Sequence, residues 1–256
     1  MSHIDPRLRR WLPLIGPLLL LGLWSLLVAT RAVSPVLLPG PLATLEHLGQ
    51  AVVHGTMVSD FLITLSRTAQ AFAIATLVGV PLGVALGASE PLYRSVEFLV
   101  DFFRSTPSSA LIPLFMLFFG ISDFNKVAIS AFAAVLVILF NSAYGVMNAR
   151  RTRIMAAQVM GASRWRVFRD VLLWESLSQT FVGLRSGVSL ALVIVVVAEM
   201  FIGAENGLGH RIINAQQLLK VKDMYASILA AGVLGYLLNL LFLVVDKRVV
   251  HWAGRA

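Results

Sequence analysis

The feature that most limits how this chain can fold is a succession of long apolar runs parted only by polar breaks. They lie near Trp11–Ala29, Phe61–Gly87, Phe98–Gly120, Val127–Met147, Thr180–Ile202 and Asp223–Val245. A helix rises about 1.5 Å per residue and a bilayer's hydrocarbon core is about 30 Å thick, so each run has roughly spanning length. The expected fold class is an all-α integral membrane protein with about six transmembrane helices. No hydrophilic stretch is long enough to house a soluble domain, so the chain divides into a tail over 1–10, one membrane domain over 11–245 and a second tail over 246–256.

Hydrophobic residues make up 58% of the chain and charged residues 13%, too little polar surface to cover a water-soluble globule of this size. The formal net charge of +8 raises the question of nucleic acid, but the basic residues flank the apolar runs instead of forming a patch, which excludes that partner and points to membrane orientation. With both termini placed in the cytoplasm, the inner segments carry fourteen Lys and Arg and the outer loops five. That lopsided count supports cytoplasmic termini for an even number of spans. The first run, at 19 residues, is too long for a cleaved signal and reads as a retained helix. The absence of cysteine excludes disulfides and thiolate chemistry.

Several spans carry local features. Gly79, Gly83 and Gly87 recur every four residues around Pro81 and leave one helix face bare, so that a second helix can approach. The third run is interrupted by Pro107 and Pro113 and is not expected to be a straight rod; its hydroxyl-rich stretch Ser105, Thr106, Pro107, Ser108 and Ser109 is the candidate translocation pathway. Glu199 is a further pathway candidate, although snorkelling to the interface accounts for it, for Arg185 and for Arg67 more simply. Asn141, Ser142 and Tyr144 read as interhelical hydrogen-bonding groups. Residues 30–60 read as a connecting loop, in preference to an amphipathic helix over Leu42–Gly55. His210 stands alone, without a second ligand at metal-binding spacing.

Residues 150–175 form a basic segment between the fourth and fifth runs. It reads as two short helices hinged at Gly161, the second capped by Ser163. Ile154, Ala157, Val159 and Met160 mark the apolar side of the first helix, and Trp165, Phe168, Val171 and Leu172 that of the second, among arginines. An apolar ridge set in positive charge suits a soluble protein partner or an anionic lipid surface equally well.

Met155-Ala156-Ala157, then Gly161, then Val171 and Leu173 resembles the EAA loop of binding-protein-dependent ABC importer permeases: Glu-Ala-Ala, three residues, Gly, nine residues, Ile, one residue, Leu-Pro. Met155 stands where that pattern has glutamate and Trp174 where it has proline. The resemblance runs along nearly the whole chain through Leu38-Pro39-Gly40-Pro41, Gly79-Val80-Pro81-Leu82-Gly83, Arg104-Ser105-Thr106-Pro107, Ala110-Leu111-Ile112-Pro113-Leu114-Phe115, Phe119-Gly120-Ile121, Ala198-Glu199-Met200 and Gly207-Leu208-Gly209. It is to the group that imports nitrate, bicarbonate, taurine and other sulfonates, or pyrimidine and riboflavin precursors.

What the resemblance implies is a type I (MetI-like) permease in the bacterial inner membrane. Its partners would be a second permease chain, two cytoplasmic ATPase chains and an extracytoplasmic solute-binding protein. Met155, Ala156, Ala157, Gly161, Arg164, Arg166, Phe168, Val171 and Leu173 would form the ATPase-coupling loop. The chain would bind no cofactor, with ATP and Mg on the partner ATPase, in keeping with a sequence that has no Gly-x-x-x-x-Gly-Lys-Ser/Thr phosphate loop. The solute would be a small organic or inorganic anion, attracted by Arg67 and the basic residues of the outer loops. The rival readings are a polytopic membrane enzyme acting on lipid, for which the cytoplasmic loops lack an acidic or histidine cluster, and a self-sufficient secondary carrier, for which no paired halves are evident.

Overall fold

The computed structural model describes residues 12–34 and 36–249; the expected N-terminal tail, Trp11 and the end of the C-terminal tail lie outside them. The described elements are α1 (Leu12–Ala29), α2 (Pro41–His54), α3 (Met57–Gly87), α4 (Glu90–Ser105), a 3-10 turn (Ser108–Leu111), α5 (Ile112–Phe119), α6 (Asp123–Met147), α7 (Arg151–Val159), α8 (Arg164–Val167), a π-helical turn (Phe168–Leu172), α9 (Leu173–Phe201), α10 (Leu208–Gln217) and α11 (Val221–Val249). Among the described residues there is no strand. All six expected apolar segments are helical and the third is broken; among the described residues four helices are long and apolar enough to cross a membrane, five if the bent pair α4–α5 is one span, and α1 is a shorter apolar helix.

The centre is a layer of three long helices, with α6 between α3 and α9. Of the most apolar stretch of α6, 56% is buried, against 11% for α11, so α6 is the internal helix and α11 a peripheral one. The bare glycine face of α3 meets α6 as expected. A Cβ added to Gly83 would stand 2.7 Å from the Ser142 Cβ and still closer to the Leu139 carbonyl. From the other side, a Cβ on Gly187 of α9 would stand 2.7 Å from Ile138. Small residues thus seat α6 on both flanks, the packing open to helices that gain no hydrophobic drive from surrounding lipid. Asn141 of α6 accepts from the Gln179 amide of α9 at 3.0 Å, an interhelical hydrogen bond of the expected kind. Tyr144 faces outward, 48% exposed.

Outward-facing leucines mark the lipid side: Leu19 and Leu20 of α1 are each 68% exposed and Leu77 of α3 is 76% exposed. α1 is attached at its far end, where the Trp24 indole donates to the Pro39 carbonyl at 3.0 Å and stacks on Tyr225 of α11.

Three expectations need correction. Residues Pro41–His54 form a helix, not a connecting loop: Pro41 starts it with a preset φ, and Thr44 and Ala51 are buried in its contact with the rest. The third apolar run begins early, at Glu90, and turns by 91° between α4 and α5. The break falls at Thr106-Pro107, whereas Pro113 sits in the first turn of α5, where a missing N–H is harmless. α4 is amphipathic, with Glu90, Arg94, Glu97, Asp101 and Arg104 in 16 residues. Finally, the second helix of the basic segment is not separate from the fifth span; α8, the π turn and α9 form one rod of 38 residues, Arg164–Phe201. α11 likewise runs past 245 to Val249.

Candidate functional site: the basic loop and the outer charge cluster

At one end of the rod, α7 and α8 meet at Gly161, whose φ of +80° is the left-handed conformation that glycine adopts without strain. The Ser163 hydroxyl accepts from the Arg166 N–H at 3.4 Å and caps α8 as expected. An Arg153–Glu175 ion pair ties α7 back to α9. This corner presents Val159 at 88% exposure, Met160 at 80%, Trp165 at 68% and Met155 at 59%, with Trp165 stacked on Phe168 at 5.6 Å between ring centres. Ala156, Gly161, Arg164 and Arg166 are also exposed, while Ala157, Phe168, Val171 and Leu173 are half-buried and form the inner side of the corner. The exposed ridge therefore contains Met155 and lacks Ile154 and Ala157, which turn inward.

A second cluster occupies the other end of the bundle. Asp60, Thr64 and Arg67 lie on one face of α3. The Arg67 guanidinium donates to Glu199 of α9 at 2.7 Å, to Asp123 of α6 at 2.7 Å, and to the Asn206 side chain at 2.7 Å and carbonyl at 3.0 Å. Glu199 also accepts from the Thr64 hydroxyl and from the Gly209 N–H, each at 2.9 Å. Its carboxylate thus faces the N-terminal turn of α10, where free amides and the helix dipole favour negative charge. Gly207, at φ +107°, is required on both counts: a Cβ there would meet that carboxylate at 2.5 Å. Nearby, Arg211 of α10 bridges Asp223 at 2.7 Å and Asp60 at 3.3 Å.

Arg67 and Glu199 accordingly do not snorkel. The Glu199 side chain is fully buried and that of Arg67 is 5% exposed. Nor do Arg67, Arg211 and Lys126 stand free to attract an anion, because Arg67 and Arg211 are paired as described and Lys126 is bound to Asp123 at 2.9 Å. The pathway candidates of the third run lie at the α4–α5 break. Ser105, Pro107 and Ser109 are exposed, Ser108 is half-buried, and half-buried Thr106 turns its hydroxyl back to the Phe102 carbonyl at 2.9 Å. Sequence reasoning missed Asp60, Thr64, Asp123, Asn206 and Arg211. The signal was present in α3, where polar residues at i, i+4 and i+7 share one face. His210 is half-buried in α10, and among the described residues no group of acids and histidines is arranged to hold a metal.

This is the architecture of a multi-pass, all-helical permease of the type I importer class. Residues 79–253 match the family described as "Binding-protein-dependent transport system inner membrane component", and the chain belongs to it. A probable ABC transporter permease protein of Brucella abortus is 33% identical over 92% of this chain and 93% of its own length. The taurine transport system permease protein of Escherichia coli is 30% identical over 94% and 89%. In fold, an inward-facing structure of the MetNI methionine ABC transporter superposes with a TM-score of 0.66 at 22% identity, covering 75% of this chain and 95% of that one. The chain is therefore a membrane-spanning permease subunit of an ABC importer, a transport protein and not an enzyme. ATP is hydrolysed on a separate subunit, and membership of the family implies an ATPase and a binding protein as partners.

Proposed function

We propose that two copies of this chain form one pathway through the bacterial inner membrane for a small anionic solute, such as a sulfonate or nitrate, handed over by an extracytoplasmic binding protein. Both termini lie in the cytoplasm, and each copy carries one ATPase chain on its basic loop. ATP and Mg stay on that ATPase, and the permease binds no cofactor. Closure of the ATPase pair moves α7 and α8, and the continuous rod into α9 carries that movement across the membrane.

The observation that carries this reading is the exposed ridge of Met155, Val159, Met160 and Trp165 beside Arg164 and Arg166. Large exposed apolar side chains rimmed by charge mark an interaction surface, and a rigid 38-residue lever behind them gives docking a mechanical consequence. A cargo with a sulfonate head is supported by the taurine-transporting relative. The test is purification of the intact protein in mild detergent beside a variant with Arg164→Glu and Arg166→Glu. An ATPase chain that accompanies the wild type and is lost from the variant supports the reading; an ATPase retained equally by both removes the loop as its dock.

A further inference from the structure

Arg185 differs from the cations of the outer cluster. It lies within α9, 16 residues before Phe201 and about 24 Å along the helix from that end, inside the apolar run Thr180–Ile202. Its Nε donates sideways to Asn239 Oδ1 of α11 at 2.7 Å, and among the described residues it makes no ion pair. Arg67, Lys126 and Arg211 each have a carboxylate within 3.3 Å. A charge at this depth needs a partner, water or a route to the headgroups.

The surroundings favour water. Arg185 opens onto a cavity of about 890 Å³ between α9 and α11, which Ser186, Ser189, Tyr236 and Asn239 also line. Ser186 and Ser189 are exposed beside Arg185 on α9, one and four residues further along. On α11, Gly232 leaves open space where a side chain would stand. Asp246, seven residues beyond Asn239, also lines the cavity and makes no ion pair with Arg185. Apolar residues, Phe181, Val182, Val193, Leu238 and Phe242 among them, make up more of the lining, and the arginine, two serines, tyrosine and asparagine form a polar strip within it.

We infer that the α9–α11 groove is a wall of the solute pathway and that Arg185, held by Asn239, is a binding station there for the oxyanion head of the solute. The Asn239 bond fixes the guanidinium through Nε and leaves its two terminal nitrogens as a fork for a carboxylate, sulfonate or similar group. Solute passing the station exchanges hydration for that fork, and the neighbouring hydroxyls allow it to leave again. A phospholipid headgroup has the same chemistry, so the two sources must be separated by experiment. The inference rests on the importer reading above and deepens it.

The chain has no native cysteine, so Ser189→Cys gives one reporter position per permease copy, and the complex with wild-type permease gives the background from the ATPase chains. In the permease–ATPase complex in phosphatidylcholine nanodiscs, its reaction rate is compared for a methanethiosulfonate with an anionic sulfonate tail and one with a cationic trimethylammonium tail. The expected result is reaction with both, about tenfold faster for the anionic reagent, as a focused local potential predicts. The preference collapses in Arg185→Gln and persists in Arg185→Lys, while Leu77→Cys on the lipid side reacts with neither. Absence of reaction at Ser189→Cys, or reaction without charge preference, overturns the inference. A preference that disappears when phosphatidylglycerol is added assigns the groove to lipid headgroups and also overturns it. Failure of the importer reading shows separately, as absence of an ATPase from the purified complex.

Discussion

Arg67 of α3 and Glu199 of α9 meet at 2.7 Å with neither side chain more than 5% exposed, and through them α3, α6, α9 and the turn into α10 are held at one end of the bundle. An ion pair removed from water repays its desolvation only when further hydrogen bonds complete both partners. Here Thr64 and the Gly209 amide complete the carboxylate, and Asp123 and Asn206 engage the two terminal nitrogens of the guanidinium, leaving only its Nε buried without a partner. The cluster is a clasp that holds these helices together at one end of the bundle.

Glu199→Ala leaves a cation in a dry site. The expected loss of stability is about 3 kcal/mol, toward the low end for a broken buried pair because Asp123 still faces Arg67. The double variant Arg67→Met with Glu199→Met is expected to lose less than the sum of the two single changes. Unfolding in mixed micelles at increasing dodecyl sulfate checks both; additive losses would mean that the two residues act independently.

Gly83→Val forces a branched side chain into the Leu139 backbone, with no flexible neighbour to yield. The variant is expected to insert but to yield little monodisperse protein on size-exclusion chromatography. Gly22→Val on α1, where nothing lies within 4 Å of the added Cβ, is the control expected to behave as wild type.

At Gly161 the space is open and the backbone is the constraint, since φ is +80°. Gly161→Val costs about 1–2 kcal/mol of local strain in that conformation, enough to shift the α7–α8 corner without affecting insertion. ATP hydrolysis by the assembled complex is expected to become insensitive to the loaded binding protein, whereas Gly161→Asn retains part of the response. Full coupling in Gly161→Val would remove the hinge from the account.

What the sequence made legible follows one rule. Features that depend on the order of residues along one helix were readable: the apolar runs, the Gly79–Gly83–Gly87 face, the Ser163 cap and the Gly161 turn. Features that depend on which helices become neighbours were not. Arg67 and Glu199 are 132 positions apart, and each alone reads as a snorkelling residue. The α2 helix was hidden because a short segment with a modest apolar face resembles a polar loop. The break at Pro107 was readable as a break, but not the 91° turn, which depends on how α5 packs Ile112 against Ile129 and Ile194. The residues proposed for the coupling corner came from resemblance, and the geometry then sorted them into exposed and inward-facing sets.

The proposed topology rests on the Lys and Arg distribution. Reporter fusions at each terminus are expected to give cytoplasmic signals, because the segments around 150–169 and 247–255 hold most of the positive charge on that side. Opposite signals from the two ends would require an odd number of crossings and would break the assignment of α4 and α5 to one bent span.

The most direct measurement is solute uptake into proteoliposomes holding this chain and its ATPase, with the binding protein supplied outside and ATP inside. Uptake is expected only when all three proteins and ATP are present, with loss of uptake but retained assembly when Gly161 is replaced by valine. Uptake by this chain alone, driven by an ion gradient and indifferent to ATP, would contradict it.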